Sequence, residues 1–147
     1  MEAYLSSGLG RIIIDRSAYE ISPNRCRFTY AHELGHIILH GDFYRTQKIK
    51  DITGYQRFQS SLSNDEERRI ESQAHAFAGY VLLPQQLFRE KVDALIRSAG
   101  GESQLNIQEF SLGSRELVKL FQVSEEVFMR QLKREYKDLL DQLLRAV

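Results

Sequence analysis

The sequence predicts an α+β domain in which a short strand and several helices surround one helix that carries metal-binding residues. A β-branched run at residues 10–15 precedes long segments with helical periodicity, and residues 32–36 read HELGH. The chain has 147 residues, of which 42% are hydrophobic, enough for one domain with a core. We therefore expect a single domain over residues 1–147, in which residues 114–147 form a C-terminal helical subregion.

Composition argues against several classes of partner. Twenty basic residues balance twenty acidic ones, so no net charge draws the chain to nucleic acid or to an anionic membrane. The single cysteine, Cys26, cannot form an internal disulfide, which favours a reducing compartment. It could be a ligand or a nucleophile, although a lone cysteine is more often a small half-buried side chain. Residues 1–10 do not resemble a signal peptide, and no apolar run has membrane-spanning length. We expect a soluble, cytoplasmic protein.

The N-terminal half predicts a strand, a helix and a long connection. Residues 10–15, GRIIID, predict the strand, and residues 22–24, SPN, predict a turn after it. A helix is expected from about Arg27 or Phe28 to His40, and Gly41 is placed to end it in the left-handed conformation. Residues 42–61 lack clear periodicity and predict an irregular connection near the functional site.

The C-terminal half predicts four more helices. Residues 63–66, SNDE, form a capping-box signature that starts the first, and Pro84 ends it. Its apolar residues follow helical spacing: Ile70, Ala74, Phe77, Ala78 and Val81. The next helix is expected from Pro84 to Gly100-Gly101. Two more are expected at residues 114–121 and 125–144, the latter capped by Ser124.

The HELGH segment is the main candidate site. Residues four apart lie one above the other on a helix, so His32 and His36 can direct both imidazoles at one ion while Glu33 lies beside it. Burying these ionisable groups on an otherwise apolar helix is costly unless something compensates their charge. A zinc ion does so, whereas two satisfied core histidines are the structural alternative. In a zinc site, Glu33 would act as general base.

A catalytic zinc ion prefers three protein ligands, so a third has to come from elsewhere. The pattern that extends HExxH places glycine at position 39 and the ligand at position 42, but here Leu39 precedes Asp42. Glu71 is the better candidate, because its helix has a wide apolar face that should pack on the metal helix. His75, four residues later, would hydrogen-bond a ligand or serve as an alternative ligand.

Other polar residues carry weaker signals. His40 is rotated off the line of His32 and is expected beside the ligands or towards solvent rather than on the metal. Three tyrosines, Tyr44, Tyr55 and Tyr80, could donate to a developing oxyanion, although tyrosines in small domains are more often packing residues. The sequence does not choose among them.

Three segments resemble the ImmA/IrrE family of metallopeptidases. Residues 27–40, RFTYAHELGHIILH, resemble the family's RFTxAHELGHxxLH block, and residues 70–84, IESQAHAFAGYVLLP, resemble ExxANxFAxxLLMP. Residues 121–126, FQVSEE, resemble FxVSxxA. Two positions depart from the pattern: His75 stands where the family usually has Asn or Asp, and Gln73 stands where some members have Glu.

The resemblance implies a zincin-like fold, with a small sheet over the HExxH helix and a glutamate of the second block as third zinc ligand. It also implies an endopeptidase that cleaves a helix-turn-helix, Xre-type repressor and so derepresses stress, phage or mobile-element genes. One alternative is a non-catalytic, metal-containing binding module that holds a repressor or toxin partner. Another is direct DNA binding through residues 117–132, which resemble a helix-turn-helix. The resemblance is weak, because Gln122 takes the turn position that favours glycine.

Overall fold

Helices dominate the part of the chain that the computed structural model describes, residues 3–5, 11–14, 16–46, 52–139 and 141. The chain forms two compact units, Met1–Val81 and Leu82–Val147. The predicted α+β class is confirmed only in part, because the described strands, β1 (Ala3–Leu5) and β2 (Ile12–Ile14), have three residues each. None of the described helices combines the length and the apolar character needed to cross a membrane.

The first unit begins with the antiparallel pair of β1 and β2, in which Ala3 faces Ile14 and Leu5 faces Ile12. β2 confirms the strand predicted at residues 10–15, whose first and last residues lie outside the described part. Both strands contact α2 (Pro23–Thr46), the helix that carries the HELGH segment. A six-residue helix, α1 (Arg16–Ile21), precedes it and was not predicted.

The predicted end of α2 at Gly41 is wrong, since the helix continues to Thr46. Gly41 is buried inside the helix and is not among the described glycines with positive φ. The last turns persist because Tyr44 is buried and lies against His36, one of the two HExxH histidines. Burial of the Tyr44 side chain stabilises the last turns of the helix, although Gly41 would favour an end there.

The irregular connection predicted at residues 42–61 is wrong wherever the structure describes it, because residues 42–46 belong to α2 and the later residues form α3 (Ile52–Ser61). Apolar residues at Ile52, Tyr55 and Phe58 give it an i, i+3, i+6 spacing that mixed composition hides. Residues 47–51 lie outside the described part.

α4 (Asn64–Leu82) confirms the helix predicted after the capping box. The Ser63 backbone N–H and hydroxyl both donate to Glu66 Oε2, at 3.1 and 2.7 Å, and the Glu66 N–H donates back to Ser63 Oγ at 3.3 Å. Ile70, Ala74 and Ala78 are buried as the spacing predicts, whereas Val81 is exposed.

The second unit contains α5 (Gln85–Ser98), α6 (Ile107–Phe121) and α7 (Glu125–Glu135) around a core that includes Phe88, Phe121 and Phe128. α5 ends as predicted, at Gly100 and Gly101 with φ of 101° and 80°.

The bounds predicted for α6 and α7 are wrong. α6 begins seven residues before Ser114, because Asn106 caps it by accepting from the Gln108 and Glu109 N–H groups. α7 ends at Glu135, because Tyr136 leaves the helix and donates its hydroxyl to Asp93 at 2.6 Å, and residues 137–139 are helical again after this break. Residues 142–147 lie outside the described part.

Candidate metal centre

His32 and His36 lie on one face of α2, as the four-residue spacing predicts. Their Nε2 atoms are 3.0 Å apart, and His36 is 1% exposed. Two imidazole nitrogens at this distance cannot present lone pairs to each other without repulsion. A proton or a cation therefore has to lie between them.

Glu71 of α4 completes the cluster. Its Oε2 is 3.2 Å from His32 Nε2 and its Oε1 is 3.4 Å from His36 Nε2. Hydrogen bonds from the two imidazoles hold the pKa of the Glu71 carboxyl far below its ordinary value, so it is an anion at neutral pH. The Glu71 side chain is 38% exposed, which leaves the cluster reachable from solvent.

These three residues fit a metal ion. His32, His36 and Glu71 each offer one ligand atom, and these atoms lie within 4.8 Å of one another. In a tetrahedral zinc site with bonds of about 2.0–2.1 Å, neighbouring ligand atoms are about 3.3 Å apart. The two histidine nitrogens are 3.0 Å apart, and each lies 3.2 or 3.4 Å from a different oxygen of Glu71, distances close to this value. Two imidazoles and one carboxylate are also ligands that a catalytic zinc ion accepts.

A close approach of two helices brings Glu71 to the histidines. An ideal Cβ on Gly35 would lie 3.2 Å from Ala74 Cα and 3.1 Å from Phe77 Cδ1. The glycine lets α2 and α4 touch almost backbone to backbone, and Glu71 lies one turn before Ala74. This contact accounts for a mid-helix glycine that otherwise costs about 1 kcal/mol relative to alanine.

Glu33 lies beside the cluster but is not one of its three donors. Its Oε2 is buried and has no hydrogen-bond partner among the described residues. Burial raises the pKa of the Glu33 carboxyl, an effect that nearby His36 and His32 oppose and Glu71 reinforces. A carboxylate of raised basicity with a spare oxygen is suited to accept a proton.

Two further polar contacts support the cluster, and the sequence alone does not identify them. Tyr44 Oη is 3.3 Å from His36 Nδ1, and His40 Nε2 is 2.9 Å from Gln73 Oε1. An amide oxygen only accepts, so His40 carries its proton on Nε2 and ties α2 to α4. The sequence carries no clear signal for Tyr44, because position i+8 lies about 80° around an ideal helix from His36.

The His75 ring contacts the His32 ring but does not belong to the group of possible metal ligands. Its centroid is 4.6 Å from that of His32 and 5.4 Å from that of Phe28, which stacks on it. Among the described residues, the group close enough to share one ion contains His32, His36 and Glu71 and does not include His75. The ring contact places His75 where it can orient His32.

The remaining candidates lie elsewhere. Asp42 faces solvent with a side chain 99% exposed and pairs with Arg45 at 2.8 Å, so the route through position 42 is wrong. Cys26 is buried and is not part of the donor group. Tyr44 is buried on the Nδ1 side of His36, while Tyr80 is exposed. The side chain of Tyr55 lies outside the described part.

Comparison with known proteins agrees with this arrangement. The model of the peptidase M78 family, described as the IrrE N-terminal-like domain, matches residues 10–133. Neither a curated protein nor a solved structure gives a significant match. The matched region contains all three donor residues of the cluster, Glu33 and both helices that carry them. The chain therefore belongs to the ImmA/IrrE family of metallopeptidases.

Proposed function

We propose that the protein is a cytoplasmic, zinc-dependent endopeptidase of zincin-like fold, with His32, His36 and Glu71 as zinc ligands and Glu33 as general base. The observation that carries the proposal is the meeting of two imidazoles and a carboxylate within 4.8 Å, next to the half-buried Glu33 carboxylate, which lies outside the donor set. His75 is the proposed supporting residue of His32. The cytoplasmic location rests on the single cysteine, which cannot form an internal disulfide.

The chain's own residues divide the chemistry between them. A bound zinc ion would polarise a peptide carbonyl and acidify water in the site. Glu33 accepts the proton of the attacking water and passes it to the leaving amide nitrogen. Glu71 contributes negative charge, and its side chain is 38% exposed to solvent. His36 is buried.

We further propose that the substrate is a helix-turn-helix, Xre-type repressor whose cleavage derepresses stress, phage or mobile-element genes. Family membership supports a protein substrate, and the sequence resemblance suggests the repressor. The alternative is a binding module that holds a repressor or toxin without cutting it. The two functions differ in their dependence on Glu33.

Incubation of purified, zinc-loaded protein with such a repressor tests the proposal. Mass spectrometry should find two fragments with wild-type protein. Glu33→Gln should retain its zinc but cleave about 10²–10⁴-fold more slowly, the usual contribution of a general base. Glu67→Ala, an exposed glutamate on α4, is the control and should cleave normally. Binding without fragments would support the alternative, and undiminished cleavage by Glu33→Gln would show that Glu33 is not the base.

A further inference from the structure

The two histidines of the cluster differ on the side that faces away from Glu71. His36 Nδ1 lies 3.3 Å from the Tyr44 hydroxyl, and the two rings meet edge to face with centroids 5.9 Å apart. His32 Nδ1 is buried and has no hydrogen-bond partner among the described residues. Among the described residues, a polar group therefore holds the second ring nitrogen of His36 but not that of His32.

The position of Tyr44 is determined by its burial and by the helix that carries it. Its side chain is 5% exposed, and it lies on the same helix as His36, two turns later. The helix continues through Gly41 to reach it, although the sequence alone predicts an end there. A buried hydroxyl is costly unless it is hydrogen-bonded, so the contact with His36 also stabilises Tyr44.

Metal binding through Nε2 determines what the other nitrogen does. A neutral imidazole that gives its Nε2 lone pair to a metal carries its proton on Nδ1, and that proton needs an acceptor. The Tyr44 oxygen lies next to His36 Nδ1 and can accept the hydrogen bond from this proton. A phenol is uncharged, so it can fix the tautomer and the ring plane without adding a second negative charge to a site that already holds Glu71.

We propose that Tyr44 is a positioning residue of the metal centre. Its oxygen accepts a hydrogen bond from His36 Nδ1–H and keeps the His36 Nε2 lone pair directed at the ion, which sets the metal affinity. This inference rests on the proposed role of His36 as a ligand. It does not depend on peptide cleavage.

Zinc titration against a chromophoric chelator tests the inference with three variants. Tyr44→Phe keeps the ring and should weaken zinc binding about 10–100-fold, the usual effect of losing a residue that orients a ligand. Tyr19→Phe, the same change at an exposed position of α1, should bind zinc as wild type does. Tyr44→Leu removes ring and hydroxyl and should be at least as weak as Tyr44→Phe.

Each outcome decides the inference. Wild-type affinity in Tyr44→Phe with weak binding in Tyr44→Leu would show that only ring packing matters and would overturn it. Failure of wild-type protein to bind zinc would overturn both this inference and the proposed function. Zinc binding that depends on the hydroxyl in a protein that cleaves nothing would support the inference and overturn only the peptidase.

A measurement on wild-type protein covers the case in which Tyr44→Phe does not fold. In zinc-loaded protein, the His36 Nδ1 proton should show a nuclear Overhauser contact with the Tyr44 ring protons next to the hydroxyl. Absence of that contact in a spectrum that resolves the His36 proton would overturn the inference.

Discussion

Glu71 and Gln73 lie two residues apart on α4, and their side chains serve different partners. The Glu71 carboxylate faces His32 and His36, whereas the Gln73 amide oxygen accepts from His40. Only one of the two can therefore contribute a charge to a metal ion. This difference decides which substitution should remove the metal.

Glu71→Ala should weaken zinc binding by more than about 100-fold, because it removes a ligand rather than a residue that orients one. Gln73→Ala should have a much smaller effect, and His75→Ala an intermediate one of about 10–100-fold if that ring orients His32. Zinc titration of the three variants gives the order. A larger loss in His75→Ala than in Glu71→Ala would mean that three histidines form the site.

Residues of the candidate metal centre were predictable only where the signal is local. His32 and His36 follow from a fixed spacing on one helix, and Glu71 follows from the apolar face that places α4 against it. Tyr44 and the bond between His40 and Gln73 depend on how far α2 continues and on how the helices turn towards each other. No local pattern carries that information.

At the scale of secondary-structure elements, the contact of Gly35 with α4 determines how close Glu71 comes to the two histidines. A methyl group there would lie 3.2 Å from Ala74 Cα and 3.3 Å from Ala74 O, and backbone atoms do not move aside as a flexible side chain does. The added group would push α4 outwards and carry Glu71 with it. The distance between two helices thus determines whether the carboxylate reaches the histidines.

Gly35→Ala should lower zinc affinity about tenfold or more, in the range seen when the support of a ligand is disturbed. Its effect on stability should be smaller, because a gain in helix propensity of about 1 kcal/mol offsets overpacking of about 1–3 kcal/mol. Gly113→Ala adds the same methyl group beside Leu95 in the second unit and should leave zinc affinity unchanged. Equal zinc affinities in wild type and Gly35→Ala would contradict this account of the helix contact.

Element boundaries show the same division between local and distant causes. The start of α4 was predictable, because Ser63 and Glu66, three positions apart, form reciprocal hydrogen bonds. The end of α7 was not, because it depends on a hydrogen bond from Tyr136 to Asp93, forty-three positions away in the chain. Long-range contacts outweighed the apolar periodicity that predicted a longer helix.

At the scale of the whole molecule, many side chains of the C-terminal tail, residues 114–147, pack within the second unit. Val127, Phe128 and Leu132 are buried, and Glu135 binds Arg89 at 2.7 Å. Leu120 and Met129 remain 59% and 44% exposed. These two are the large apolar side chains that the described part of the tail leaves exposed.

The contact between Tyr136 and Asp93 should make the stability of the second unit depend on pH in the alkaline range. Burial and the hydrogen bond to Asp93 raise the pKa of the Tyr136 phenol above its ordinary value of about 10. The folded state therefore favours the protonated phenol, and its contribution to stability is present below pH 10. It is lost as pH rises from about 10 towards the raised pKa, because only the unfolded chain loses the proton there.

Tyr136→Phe should consequently be less stable than wild type at pH 9, and the difference should shrink by pH 11. Urea unfolding at both values, monitored by circular dichroism, measures it. Tyr19→Phe, at an exposed tyrosine, is the control and should keep a constant difference from wild type. A gap between wild type and Tyr136→Phe that stays constant or widens would contradict the assigned role of the phenol.

The central claim is that one zinc ion is held by His32, His36 and Glu71, and metal stoichiometry tests it most directly. Elemental analysis of protein purified without added metal should give one zinc per chain for wild type, since the three ligand atoms converge on one point. The double variant His32→Ala, His36→Ala should contain almost none while keeping the helical circular dichroism of the fold. Full zinc occupancy in the folded double variant would contradict the claim.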